Sequence, residues 1–177
     1  MIINQDDVIL LIIDVQEKLL NAVFNKNSLE KNAKTISKAA EILNIPKIVT
    51  EQYPQGLGES INNIKDNANV FIKTSFNALS DINLQDELKA LGKKQVIIFG
   101  IETHICVYQS VVALLELGYD VNVVVDACGS RSEIEYNRAL NLMSEYGAKI
   151  KTTEMVLFEL IKSSKHPNFK EIQSLIK

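Results

Sequence analysis

The chain has 177 residues, enough for about one domain whose hydrophobic core needs neither disulfides nor a metal to hold it. Its hydrophobic fraction of 46% and charged fraction of 23% are ordinary for a globular protein. A net charge of -3 gives no electrostatic reason to expect nucleic acid or an anionic membrane as a partner.

Val8 to Ile13 is a continuous run of apolar, mostly β-branched residues, which predicts a strand buried on both faces in a parallel sheet. It is too short to cross a bilayer and no basic region precedes it. With no secretory signal or membrane span in view, the expected compartment is the cytoplasm. Ala33, Ile36, Ala39, Ala40 and Leu43 recur at helical spacing, so residues 28–43 are predicted to form an amphipathic crossover helix. Pro46 ends that region, and residues 47–50 supply a second strand. A loop rich in Gly and Pro covers 51–59, and a short third strand lies around 70–72. Asn83 is the expected cap of a helix that runs to Leu91 and stops at Gly92.

Residues 96–99 make the central strand, followed by a helix over about 104–117 that Gly118 closes. Residues 121–125 form another buried strand. Ser130 and Glu133 fit a capping box for a helix that runs to Tyr146 and stops at Gly147. Residues 148–151 read as the sixth strand, and two helical stretches close the chain. Six strands alternating with helices predict an α/β fold, a three-layer αβα domain with a central six-stranded parallel sheet and right-handed crossovers. No linker, low-complexity tract or repeat divides it, so residues 1–177 are read as a single domain.

Ligands in such sheets bind at the carboxyl ends of the strands, where Asp14, Glu51, Lys73 and Gly100 all fall. Cys106 lies in the turn after the central strand, in Gly100-Ile101-Glu102-Thr103-His104-Ile105-Cys106-Val107. With Thr103 as the N-cap, Cys106 takes the third helical position, where unpaired amides and the helix dipole favour a thiolate and lower its pKa. The plainer reading is a small hydrophobe packed with Val107, Val111 and Leu114. Asp14 alone is as readily a helix cap, and Lys73 alone a solvated cation. Together the three supply an acid, a cation and a nucleophile. Asp14 can take the thiol proton and return it to a leaving amine, with Lys73 balancing charge and the turn 101–106 offering backbone donors to an oxyanion.

Cys106 and Cys128 permit one disulfide, but a reducing compartment favours free thiols. Cys128 follows another strand and is the rival nucleophile, two residues ahead of Ser130. His104 is expected to face solvent or a neighbouring subunit rather than to act in catalysis. Gln16, Tyr53 and Phe76 are candidate walls of a substrate pocket, and Gly56-Leu57-Gly58 a flexible substrate loop without the lysine-serine ending of a phosphate site.

The motifs around Asp14-Val15-Gln16, Lys73-Thr74-Ser75-Phe76, Gly100 to Val107 and Asp126-Ala127-Cys128-Gly129-Ser130-Arg131 resemble those of the isochorismatase-like cysteine hydrolases, which include nicotinamidases and carbamoyl-amide hydrolases. The resemblance implies a catalytic triad of Asp14, Lys73 and Cys106, and a non-proline cis peptide at Ile101-Glu102. It also implies an oxyanion hole from the amides of Glu102 and Cys106. Cys106 would form a thioester as an amine leaves, and Asp14 would then activate water. A homo-oligomer is implied as well.

Nicotinamidases hold zinc through an Asp-x-His motif and a further His after the second strand. Here that stretch is Glu51-Gln52-Tyr53-Pro54-Gln55-Gly56-Leu57-Gly58, and His104 and His166 are the only histidines. No metal and no cofactor are therefore expected. The segment instead resembles the isochorismatase domain-containing subgroup. True isochorismatases cleave a vinyl ether without a thiol nucleophile, so the implied triad points to acyl transfer on a small amide, carbamoyl or ester substrate, with no nucleic acid or membrane partner. The alternative is a non-catalytic or redox-sensing oligomeric binding protein that keeps the hydrolase fold.

Overall fold

A computed structural model describes residues 2–177. Strand β1 (Val8–Ile13) has all six residues buried because it lies inside the sheet, paired with β2 (Lys47–Gln52) on one side and β4 (Gln95–Gly100) on the other. Strands β3 (Asn69–Lys73), β5 (Asp120–Val124) and β6 (Lys149–Lys151) complete a six-stranded sheet in the order β3-β2-β1-β4-β5-β6, every pairing parallel. The two central strands carry continuous apolar runs, Val8–Ile13 in β1 and residues 96–99 in β4, as burial on two faces requires. The β3 edge differs, leaving Val70 42% and Ile72 60% exposed.

Strand order runs one way from β1 to β3 and the other way from β4 to β6, so right-handed crossovers place their helices on opposite faces. Helix α1 (Glu17–Ala22) leads to the long α2 (Lys26–Ile42), which buries Leu29, Ala33, Ile36, Ala39 and Ala40. A short α3 (Pro54–Leu57) follows β2, and α4 (Ile82–Leu91) leads into β4. Helices α5 (Tyr108–Glu116) and α6 (Glu133–Glu145) pack together, while α7 (Thr153–Ile161) packs on α2, and α8 (Phe169–Ser174) ends the chain. Among the described residues no helix is long and apolar enough to cross a membrane.

Several local expectations need correction. Asp81, not Asn83, caps α4: its backbone is extended and its carboxylate accepts the Asn83 N–H at 2.9 Å. The capping box at Ser130 does not form, because α6 starts only after Ser132 and Ser130 is buried against His104 instead. Residues 51–59 are not all loop, since β2 continues to Gln52 and residues 54–57 turn once as a helix. The element after β4 opens with a π turn over Thr103–Val107 before α5 begins.

Gly100 ends β4 directly beside Ile13, in register with the last residue of β1. Its φ is 143°, and a Cβ there would lie 1.9 Å from the Ile13 carbonyl oxygen. Only glycine lets the two strands close this tightly. Their ends therefore deliver Asp14 and Ile101 side by side, with the Ile101 N–H donating to the Ile13 carbonyl at 2.9 Å.

Candidate active site

Asp14 follows β1 with φ at 51°, a left-handed backbone that short polar residues tolerate best. Its side chain is fully buried yet well provided with donors. Oδ1 accepts the Thr50 hydroxyl at 2.7 Å, and Oδ2 accepts the Lys73 ammonium at 2.6 Å. Lys73, at the end of β3, is buried too and gives its two remaining donors to Gln52 Oε1 at 2.7 Å and the Ser75 carbonyl at 3.1 Å. A buried ion pair persists only when its other hydrogen-bonding capacity is met in this way.

Cys106 is the fourth residue of the π turn and is buried, with Asp14 and Lys73 as its charged neighbours. Its pKa is pushed up to about 12, first by burial and then by the Asp14 carboxylate, while the Lys73 ammonium pulls the other way. The expected lowering is thus reversed. The N-cap is Glu102 rather than Thr103, and at this site desolvation and a carboxylate acceptor outweigh the helix terminus. The resting sulfur is a thiol with the Asp14 carboxylate beside it.

The peptide between Ile101 and Glu102 is cis. Beyond it, the Thr103 N–H donates to the Gly129 carbonyl at 2.9 Å, tying the turn to the chain after β5. A pocket of about 100 Å³ opens onto Cys106. Leu19, Leu57, Phe76, Ile101 and Ile105 form its apolar walls, and Gln52 and Glu102 its polar ones.

Of the expected walls, Phe76 is in place. Tyr53 is 54% exposed and lies outside the pocket lining. Gln16 is fully buried behind it, giving Nε2 to the Gln52 and Gly58 carbonyls and accepting the Gln52 N–H at 2.7 Å. It fastens the 52–58 segment and lies outside the pocket lining. Glu51 turns away from the site to accept the Ser60 N–H at 2.8 Å. His104 is half-buried, with Nδ1 3.0 Å from the Ser130 hydroxyl.

Cys128 is fully buried, its thiol also pushed up to about 12 by burial, with Asp126 as its charged neighbour. Both cysteines are free. Among the described residues no group of three His, Cys, Asp or Glu side chains is placed to hold a metal ion.

Thr50 and Gln52 were not singled out from the sequence. They stand two apart on β2, so both side chains leave the same face of the strand, toward Asp14 and Lys73. Two polar residues alternating at the end of an apolar strand were the available signal.

The Isochorismatase domain profile matches residues 8–155. The chain belongs to the isochorismatase family. It is similar to isochorismatase domain-containing protein 2 of Danio rerio, 41% identical over 170 residues that cover 95% of this chain and 86% of that protein. Among solved structures it is similar to the MAR1 ribonuclease of Caenorhabditis elegans, with a TM-score of 0.93 and 39% identity over 98% of this chain and 91% of that one. It is also similar to the Escherichia coli YcaC gene product, described as an octameric hydrolase of unknown specificity, with a TM-score of 0.89 and 28% identity over 97% and 94% of the two chains. This isochorismatase-family chain thus has a hydrolase fold.

Proposed function

We propose that this protein is a metal-independent cysteine hydrolase that cleaves a small amide, carbamoyl or ester substrate through a thioester on Cys106. The observation that carries this reading is a pocket-lining thiol with a buried carboxylate–ammonium pair as its charged neighbours. Asp14 takes the thiol proton as the sulfur attacks the substrate carbonyl, and Lys73 keeps the carboxylate anchored and the charge balanced. The backbone amides of Glu102 and Cys106 would stabilise the oxyanion.

Collapse of the tetrahedral adduct breaks the bond to the leaving group, which takes the proton from Asp14. Asp14 then draws a proton from water as its oxygen attacks the thioester carbonyl. The C–S bond breaks and the sulfur regains its proton. Because the thiol pKa is near 12, proton transfer accompanies attack and no standing thiolate is required.

A pocket of about 100 Å³ suits a substrate of few heavy atoms. That size, with a net charge of -3, favours a small molecule over the polyanion suggested by the name of the ribonuclease relative. The octameric YcaC protein and the exposed Val70 and Ile72 on the β3 edge support assembly as a homo-oligomer, which light scattering would register.

The direct test is intact-protein mass spectrometry after rapid mixing with a panel of small amides, carbamates and esters. An added acyl mass on Cys106, absent in Cys106→Ala, is expected. Turnover that survives Cys106→Ala would overturn the reading, as would an adduct on Cys128 alone.

A further inference from the structure

Glu102 lines the pocket beside Cys106, and its carboxylate is bonded on one side only. Oε2 accepts both the backbone N–H and the guanidinium Nε of Arg131, each at 3.0 Å. Oε1 accepts no hydrogen bond from any described residue, although the Glu102 side chain is only 10% exposed. Oε1 is therefore left to solvent or a ligand, and Ile101, Ile105 and Phe76 line the pocket beside Glu102. Those walls have nothing to donate. Gln52, the other polar wall, commits its oxygen to Lys73 and its amide nitrogen to the Thr74 carbonyl.

Arg131 is itself 65% exposed and lies outside the pocket lining, so the pair is anchored from the surface while Glu102 lines the pocket. The two bonds from Arg131 lock which oxygen is spent and which remains free. We infer that Glu102 determines specificity by accepting an N–H from the substrate, so that the site selects carboxamide, carbamoyl or ureido groups over esters of the same shape. Arg131 is a positioning residue that acts through Glu102. The inference rests on Cys106 being the nucleophile and narrows the substrate class of that proposal. An ester places a lone pair where the amide places a hydrogen, and a carboxylate facing that lone pair repels it.

The test compares two thiol alkylators of nearly equal size, 2-chloroacetamide and methyl chloroacetate, each of which transfers its carbonyl-bearing carbon to sulfur and releases chloride. The rate of mass-resolved labelling at Cys106 is measured for both, and the amide-to-ester ratio is divided by the same ratio for glutathione. In the wild-type protein the normalised ratio is expected to exceed one by about tenfold, the scale of one hydrogen bond to a charged group. In Glu102→Gln the side-chain oxygen must face the Arg131 donors, which turns the amide NH2 toward the pocket, so the ratio should fall to one or below.

Arg131→Ala changes an exposed side chain and leaves the backbone N–H of residue 131 in place, so the protein should fold. Its ratio should fall part of the way. A general loosening of the site would slow or speed both reagents together and leave the ratio unmoved. A normalised ratio near one in the wild-type protein, or one that is the same in wild type, Glu102→Gln and Arg131→Ala, overturns the assignment while leaving Cys106 as nucleophile. Labelling confined to Cys128 removes the parent proposal and this one together.

Discussion

The two cysteines form a natural pair for comparison. Each follows the carboxyl end of a central strand, each is buried, and each has its thiol pushed up to about 12 with burial as the first cause. Acidity therefore does not separate them. What separates them is company: Cys106 has Asp14 and Lys73 for charged neighbours and lines a pocket, whereas Cys128 has Asp126 and lies outside that lining. A thiol with a raised pKa becomes a nucleophile when a base stands ready to take its proton at the moment of attack.

The largest expected effect comes from removing each thiol in turn. Cys106→Ala should abolish acyl-adduct formation and lower kcat/KM by about a thousandfold or more, while Cys128→Ala should keep most of the activity and lose some stability as a small cavity forms. Equal losses of kcat/KM in the two variants would erase the distinction.

Next comes Asp14→Asn, which keeps a side chain that tolerates the left-handed backbone but removes the charge. Turnover should fall by about 10² to 10⁴. Because the carboxylate raises the Cys106 pKa, the same variant should move the thiol titration downward and speed alkylation by iodoacetamide at a fixed pH near 9. Slower turnover with faster alkylation is the signature of a lost base. Alkylation that slows in step with turnover would point to a collapsed site instead.

Gly100→Ala sharpens the comparison from the backbone, since Gly100 leads into the Cys106 turn and also bonds toward Cys128. The clash of its Cβ with the Ile13 carbonyl should cost about 2–4 kcal/mol in urea unfolding. Activity should fall too, because Asp14 follows Ile13.

The smallest effect is shared by both thiols. With folded pKa values near 12 against an ordinary 9.0, each binds its proton more tightly when folded. Their contribution to stability is complete below pH 9 and is lost as pH rises toward 12. The urea midpoint should decline across that window, and Cys128→Ala should flatten the decline. A decline that is unchanged in the variant would remove Cys128 from the account.

Much of the framework was legible because burial on two faces leaves a plain trace. Val8–Ile13 and residues 96–99 are apolar without interruption, and polar residues at strand ends mark where the sheet opens to a ligand. Helix starts were less legible, since Asp81 and Ser132 compete with Asn83 and Ser130 only a residue or two away and tertiary packing decides between them. Ser130 would have made a good cap, but its hydroxyl is used by His104. The acidity of Cys106 was misread because position along a helix is visible in a sequence, whereas desolvation and a carboxylate brought in from β1 are not. The structural use of Gln16 was hidden in the same way, as its partners at Gln52 and Gly58 lie in a segment that reads as loop.

The sheet order has a consequence for synthesis. Strand β1 leaves the ribosome before the other strands of the sheet but pairs on one side with β4, residues 95–100, so that flank stays without its native partner until β2, β3 and β4 have been made. An apolar strand left open in a nascent chain invites association with other chains, and translation at about 5–20 residues per second sets how long that exposure lasts. Holding β1 until β4 arrives is thus a task for the early helices α1 and α2, or for a chaperone.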